Sequence, residues 1–279
     1  MSNQSLKNKV IVVTGGSGGI GSAIVSKLSN NAANVISVFC NHCPFEHSKE
    51  NVICIRADLT KLEEWERLIS FVQKQYGKID VLINCSGYLE PGDFLLLQEN
   101  EINKMIEINF SSLIIGIHKT LKIFKEQNSG HIITIGSLGG IVPMPYSSVY
   151  SATKYALRGF TFSLAEELKG TGIDVSLVSP GSVITKMLDY EAQNENTALS
   201  FVSEPISPVE VARVVLKVIQ KPKIELIVPG GQSFASKLLA FSPFIFSRLY
   251  SVLHKIGLTR KRSYMNRYCN FNLMREVIK

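Results

Sequence analysis

Short apolar runs rich in β-branched residues punctuate this chain at residues 10–13, 35–39, 52–55, 81–83, 132–135, 175–178 and 226–228. The segments between them place apolar residues every three or four positions, the period of a helix with one face on a core. Strands that are apolar throughout, with no alternation, are buried on both faces, and that burial requires helices above and below the sheet. The pattern predicts one α/β domain, doubly wound around a parallel sheet of about seven strands.

Helix starts are written in side-chain chemistry. Thr60 with Glu63, and Ser207 with Glu210, have capping-box spacing, and Pro208 occupies a first helical position. The helix after Thr60 carries Leu62, Trp65, Leu68, Ile69 and Val72 on one face, so Trp65 reads as core.

Composition narrows the class without changing the fold. The chain has 279 residues, 45% apolar and 19% charged, enough for one domain with a full core and unlike a disordered chain. Five scattered cysteines and an N-terminus without an apolar stretch point to a reducing, cytoplasmic setting. The net charge of +7 is unevenly spread: residues 1–231 sum to −1 and residues 232–279 to +8. The chain therefore divides into a dinucleotide-binding catalytic unit, 1–231, and a basic, apolar helical extension, 232–279.

After the first strand, Thr14 to Gly21 read TGGSGGIG and open a helix. Glycines there let backbone approach a pyrophosphate, and the helix N-terminus supplies free N–H groups. Tyr150 and Lys154 lie four apart on a helix, one turn apart on one face, where an ammonium can favour a phenolate and bring the phenol's pKa down. Ser137 ends the fifth strand at the carboxyl edge of the sheet, where its hydroxyl can support a substrate carbonyl oxygen.

These features together resemble the classical branch of the short-chain dehydrogenase/reductase family, over residues 7 to 230. The glycine spacing Gly15, Gly19, Gly21 is similar to the family's, and the resemblance implies a Rossmann-type fold with Asn109, Ser137, Tyr150 and Lys154 as a catalytic tetrad. Asn109 would anchor a water that links the lysine to solvent. Ser17 and Ile20 fall within the pyrophosphate turn. Asp58, followed by Leu59, resembles an adenine-side aspartate; Asn84 and Gly87 frame an NNAG-like segment that departs at Cys85 and Ser86; and Pro180, Gly181, Val183 and Thr185 match a nicotinamide-side loop. What the resemblance implies is an NAD(P)-dependent oxidoreductase, moving hydride between nicotinamide and a carbonyl or hydroxyl carbon. A cofactor-binding sensor on the same fold is the rival reading, opposed by the complete tetrad.

Residues 37–42 carry neither the acid that selects NAD nor an arginine for the phosphate of NADP; losing the acid removes a repulsion and tips the reading slightly to NADP. Cys40 and Cys43 form a CxxC near His42 and His47, read as loop thiols with no metal bound. In the tail, residues 243–256 predict an amphipathic helix with Ile245, Leu249, Val252, Leu253 and Ile256 on one stripe, started by Pro243 after a shorter helix. Its apolar run between Lys237 and Arg248 is shorter than the roughly 20 residues a bilayer span requires. The stripe either packs on the domain, closing the substrate pocket or completing a dimer with Arg260, Lys261 and Arg262 as a solvated end, or lies on an anionic membrane. Packing is the favoured reading, with a lipophilic substrate and a homo-oligomer expected. No nucleic-acid reading motif accompanies the basic cluster.

Overall fold

The computed structural model describes residues 6–41, 50–232 and 243–269. Seven strands form one sheet: β1 (Val10–Val13), β2 (Asn34–Phe39), β3 (Val52–Arg56), β4 (Val81–Asn84), β5 (Gly130–Ile135), β6 (Ile173–Pro180) and β7 (Glu225–Val228). Their order is β3-β2-β1-β4-β5-β6-β7, and every pairing is parallel. After β3 the chain crosses to the far side of β1. The crevice between the ends of β1 and β4 is therefore the switch point, where such sheets bind ligands.

Helices α1 (Gly19–Ser29), α2 (Leu62–Tyr76), α3 (Glu99–Ile106), α4 (Ser112–Gln127), α5 (Ser148–Glu167), α6 (Lys186–Gln193) and α7 (Pro208–Gln220) surround the sheet. On one face Ile24, Val25 and Leu28 of α1 meet Val211 and Val215 of α7. On the other, Trp65 and Leu68 of α2 pack with Ile117 and Phe124 of α4 and Leu164 of α5. Trp65 is core, as its spacing predicts. A Cβ on Gly116 of α4 would lie 2.2 Å from its ring, so the close approach of α2 and α4 depends on that glycine.

The two capping boxes separate. Ser207 accepts from the Val209 N–H at 3.2 Å, Glu210 accepts from the Ser207 N–H at 3.3 Å, and Pro208 begins α7. The box expected at Thr60 does not form, because Thr60 donates its hydroxyl to Asp58 at 2.7 Å and α2 begins two residues later, after Lys61. A local Asx turn has captured the cap.

The tail helix α8 runs Pro243–Tyr264, longer than predicted and starting at the expected proline. The shorter helix before it lies outside the described residues. The face that packs is offset from the predicted stripe. Phe246, Gly257, Lys261 and Tyr264 are buried, whereas Ile245, Leu249, Val252 and Ile256 are 40–55% exposed. The reason lies in the surface α8 meets, a turn at Ala198–Phe201 that presents backbone carbonyls. A Cβ on Gly257 would sit 2.0 Å from the Ala198 oxygen, so backbone fits where a large side chain cannot. Lys261, expected in solvent, is only 5% exposed and donates to the Asn194 carbonyl and Thr197 Oγ1.

Candidate active site

The glycine turn after β1 is shaped by close approach. Gly15 has φ +63°, and a Cβ there would lie 2.9 Å from the Ser86 nitrogen; one on Gly21 would lie 2.1 Å from the Gly15 oxygen. Thr14 fastens the turn to the segment after β4 by accepting from the N–H groups of Cys85 and Ser86 at 3.1 and 3.3 Å. At the start of α1, Gly18 provides no side-chain cap and the first turn holds no acid. The open N–H groups and the positive end of the helix dipole thus suit an anion. Glycine at 19 is required from the other wall, since a Cβ would come within 2.4 Å of Thr185 Cγ2.

Above this turn opens a cleft of about 930 Å³, lined by Gly15, Ser17, Gly19, Ile20, Gly21, Gly87, Ser137, Tyr150, Lys154, Pro180, Gly181, Val183 and Thr185. Nearly every residue singled out from the sequence converges there. Four do not line it. Asp58 and Leu59 follow β3 at the edge, and Asn84 ends β4 fully buried, its side-chain N and O finding no partner among the described residues. Asn109 sits behind the cleft wall. It lies in a π-helical turn, Glu107–Ser111, that joins α3 to α4. Its side chain accepts from the Tyr88 N–H at 2.7 Å and donates to the Tyr88 carbonyl at 2.8 Å. A Cβ on Gly87 would come 3.7 Å from Asn109 Oδ1 and 3.9 Å from Lys154 Nζ, which places the three groups side by side.

Ser137, Tyr150 and Lys154 meet at the carboxyl edge of β5. Ser137 caps a short turn, accepting from the Gly139 N–H at 3.0 Å, and a Cβ on Gly139 would come 3.4 Å from Ser137 Oγ and 3.6 Å from Tyr150 Cε1, so the hydroxyl and the phenol ring flank the same glycine. Burial pushes the phenol up to about 12, against the Ser137 hydroxyl, which favours the phenolate. Burial also brings the Lys154 ammonium down to about 8. The expectation that Lys154 lowers the phenol's pKa is corrected here. The ammonium donates to the Ile135 carbonyl at 3.1 Å and lies 5.6 Å from the Tyr150 ring centroid, and burial of the phenol is the largest cause of its shift. The phenol therefore holds its proton throughout the neutral range.

The model of the short chain dehydrogenase family matches residues 9–196. The chain belongs to that family. Its relatives include an uncharacterised oxidoreductase of Staphylococcus saprophyticus, 34% identical over 82% of this chain and 99% of the relative. Another, from Staphylococcus aureus strain MRSA252, is 31% identical over 78% of this chain and 94% of the relative. Among solved structures, ligand-free aldohexose dehydrogenase of Thermoplasma acidophilum superposes with a TM-score of 0.72 over 82% of this chain and 95% of that one, at 23% identity, which shows a shared fold. Family membership makes this an oxidoreductase fold for NAD or NADP, and the glycine cradle, into which no Cβ would fit at positions 15, 19 and 21, suits such a dinucleotide.

Three residues of this short-chain dehydrogenase escaped the sequence reading. Thr14 was seen only as part of the turn, although its hydroxyl binds two backbone N–H groups. Arg56 pairs with Phe39 in the sheet and donates to the Cys40 carbonyl at 3.0 Å, beside the cleft-lining Asn41. Strand register, which the sequence does not display, brings it there. Glu191 of α6 lines the substrate side of the cleft. Of the cysteines, Cys40 is free and exposed, Cys54 on β3 is disulfide-bonded, and Cys43, His42 and His47 lie outside the described residues. Cys85 is a free thiol, pushed up to about 12 by burial and thus unreactive near neutrality.

Proposed function

We propose that this protein is a carbonyl reductase or alcohol dehydrogenase, with NADP(H) slightly favoured over NAD(H) and a lipophilic substrate. The observation that carries the reading is Ser137, Tyr150 and Lys154 lining one cleft that is floored by an uncapped glycine turn. When bound, the dinucleotide supplies the hydride. Ser137 and Tyr150 then both donate to the substrate oxygen, and the Tyr150 proton moves onto it as negative charge develops. Lys154 stabilises the phenolate left behind, and Asn109 keeps Lys154 in communication with solvent through a water.

In the reductive direction the protonated phenol is the form that donates to the carbonyl oxygen; in the oxidative direction the phenolate accepts the proton back. Gly15, Ser17, Gly19, Ile20 and Gly21 would hold the pyrophosphate, Asp58 and Leu59 the adenine side, Asn84 and Gly87 the framework, and Pro180, Gly181, Val183 and Thr185 the nicotinamide side. Arg56 supports NADP, since its guanidinium lies beside the end of β2, where no acid repels a second phosphate. Leu138, Val142, Met144, Leu188, Phe246 and Leu253 make the substrate wall apolar. The last two come from α8, so the 232–279 extension takes part in substrate choice.

Two contacts beyond the substrate belong to the same reading. Phe244, Ile245, Leu249, Val252 and Ile256 are exposed on α8 beside Arg248 and Lys255, a surface suited to peripheral contact with an anionic membrane. No helix of the described residues is long and apolar enough to cross one. The apolar hollow formed by Phe94, Ile102, Ile106, Phe110 and Val149 would fit a second copy of the chain. Cofactor consumption with ketones of increasing chain length, using NADPH and NADH in parallel, tests the activity. Rates should rise with chain length and favour NADPH. Dinucleotide binding without turnover of any carbonyl would point to a sensor instead.

A further inference from the structure

Beyond the glycine turn the cleft lining is largely apolar, interrupted by Ser182, Ser200, Ser203 and Lys186 and by one carboxylate, Glu191. Glu191 projects from α6 into the same cavity as Tyr150, and the two are close enough that the carboxylate's charge raises the phenol's pKa. Ser200, itself 7% exposed, donates to Glu191 Oε1 at 2.7 Å. A carboxylate can accept about four hydrogen bonds, so acceptor capacity remains for a ligand in the cleft. The helix that bears it is held on three sides. Asn194 donates to the Pro91 carbonyl at 2.9 Å, Tyr264 donates to Asp189 at 2.7 Å, and Lys261 donates to the Asn194 carbonyl. A buried, rigidly held acceptor in an apolar wall is how a pocket discriminates, because a substrate that lacks the matching donor leaves the carboxylate desolvated and unpaired.

We propose that Glu191 is a specificity-determining residue that accepts a hydrogen bond from a hydroxyl carried by the substrate away from its reacting carbonyl. The substrate class is then an apolar hydroxyketone, not a plain ketone. A hydroxyl fits better than an ammonium, because the buried ammonium of Lys261 already contributes positive charge at Glu191. Burial raises Glu191 to about 7, so the accepting carboxylate form predominates above neutrality.

This rests on the carbonyl-reductase reading, and the test separates the two. Apolar methyl ketones are paired with the same ketones carrying a terminal hydroxyl or amine, over a range of chain lengths. For each, kcat/KM is measured, together with calorimetric affinity for the protein loaded with oxidised cofactor. At one spacing the hydroxylated member should be preferred about ten- to a hundredfold, the value of a hydrogen bond to a charged group. Glu191→Ala should bring that ratio close to one, and Glu191→Gln, isosteric and still an acceptor, should keep part of it. A preference that survives Glu191→Ala, or a stronger preference for the amine, overturns the proposal. Hydroxyl-selective binding lost in Glu191→Ala without any turnover keeps the subsite and removes the reductase reading. Binding without any hydroxyl preference removes the subsite, whatever the turnover.

Discussion

Lys154 holds its ammonium over the Tyr150 ring while bonding elsewhere: Nζ donates to the Ile135 carbonyl at 3.1 Å and stands 5.6 Å from the ring centroid. Both groups are desolvated, and desolvation moves their pKa values apart, the phenol up to about 12 and the ammonium down to about 8. Tyr150 thus stays protonated across the working range, and the group that titrates there is Lys154. For carbonyl reduction, kcat/KM should be flat below about pH 8 and fall above it, by up to tenfold per pH unit, as Lys154 loses the charge that supports the phenolate. A pH-rate profile of Lys154→Met should lack this limb.

The same displacement predicts a stability effect of opposite sign to the loss of activity. Because folding depresses the lysine pKa, the folded protein binds the proton less well than the unfolded chain. A penalty is present below about pH 8 and disappears above the ordinary value of 10.5. Lys154→Met should raise the melting temperature at pH 7 by a few degrees, with the gain shrinking toward pH 10.5. Thermal melts across that range check the sign.

Asn109 ties a π-helical turn to the chain after β4. Asn109→Ala leaves the half-buried Tyr88 N–H and carbonyl without this partner and should cost about 1–3 kcal/mol in urea unfolding, on the scale of an unsatisfied polar group. An unchanged midpoint would show that the turn does not depend on this side chain.

Gly257 sets how closely α8 approaches the Ala198–Phe201 turn. Gly257→Val would drive a side chain into the Ala198 carbonyl, lift the helix and withdraw Phe246 and Leu253 from the cleft. Faster tryptic cleavage at Arg248 and Lys255 is expected, with KM rising more for long ketones than for short ones.

The strands, their order of use and the convergence of Ser137, Tyr150 and the glycine turn could be read from the chain because they follow local periodicity and motif spacing. What could not be read depends on partners distant in sequence. Arg56 comes beside the cleft-lining Asn41 through its register with Phe39, and Glu191 enters the cleft through the packing of α6. On α8 the apolar stripe was visible, but a helix can bury glycine and lysine when its neighbour presents carbonyls, and Lys261 does so. At Thr60 a side chain two residues upstream competed for the hydroxyl that a capping box requires.

The central claim is that Tyr150 delivers the proton. Steady-state reduction of the best ketone in the panel by Tyr150→Phe, alongside a cofactor-binding titration, tests it most directly. Turnover should fall by about a hundred- to ten-thousandfold, the usual contribution of a positioned acid, while dinucleotide affinity stays within about twofold. A variant that keeps a tenth or more of the wild-type rate would contradict the account.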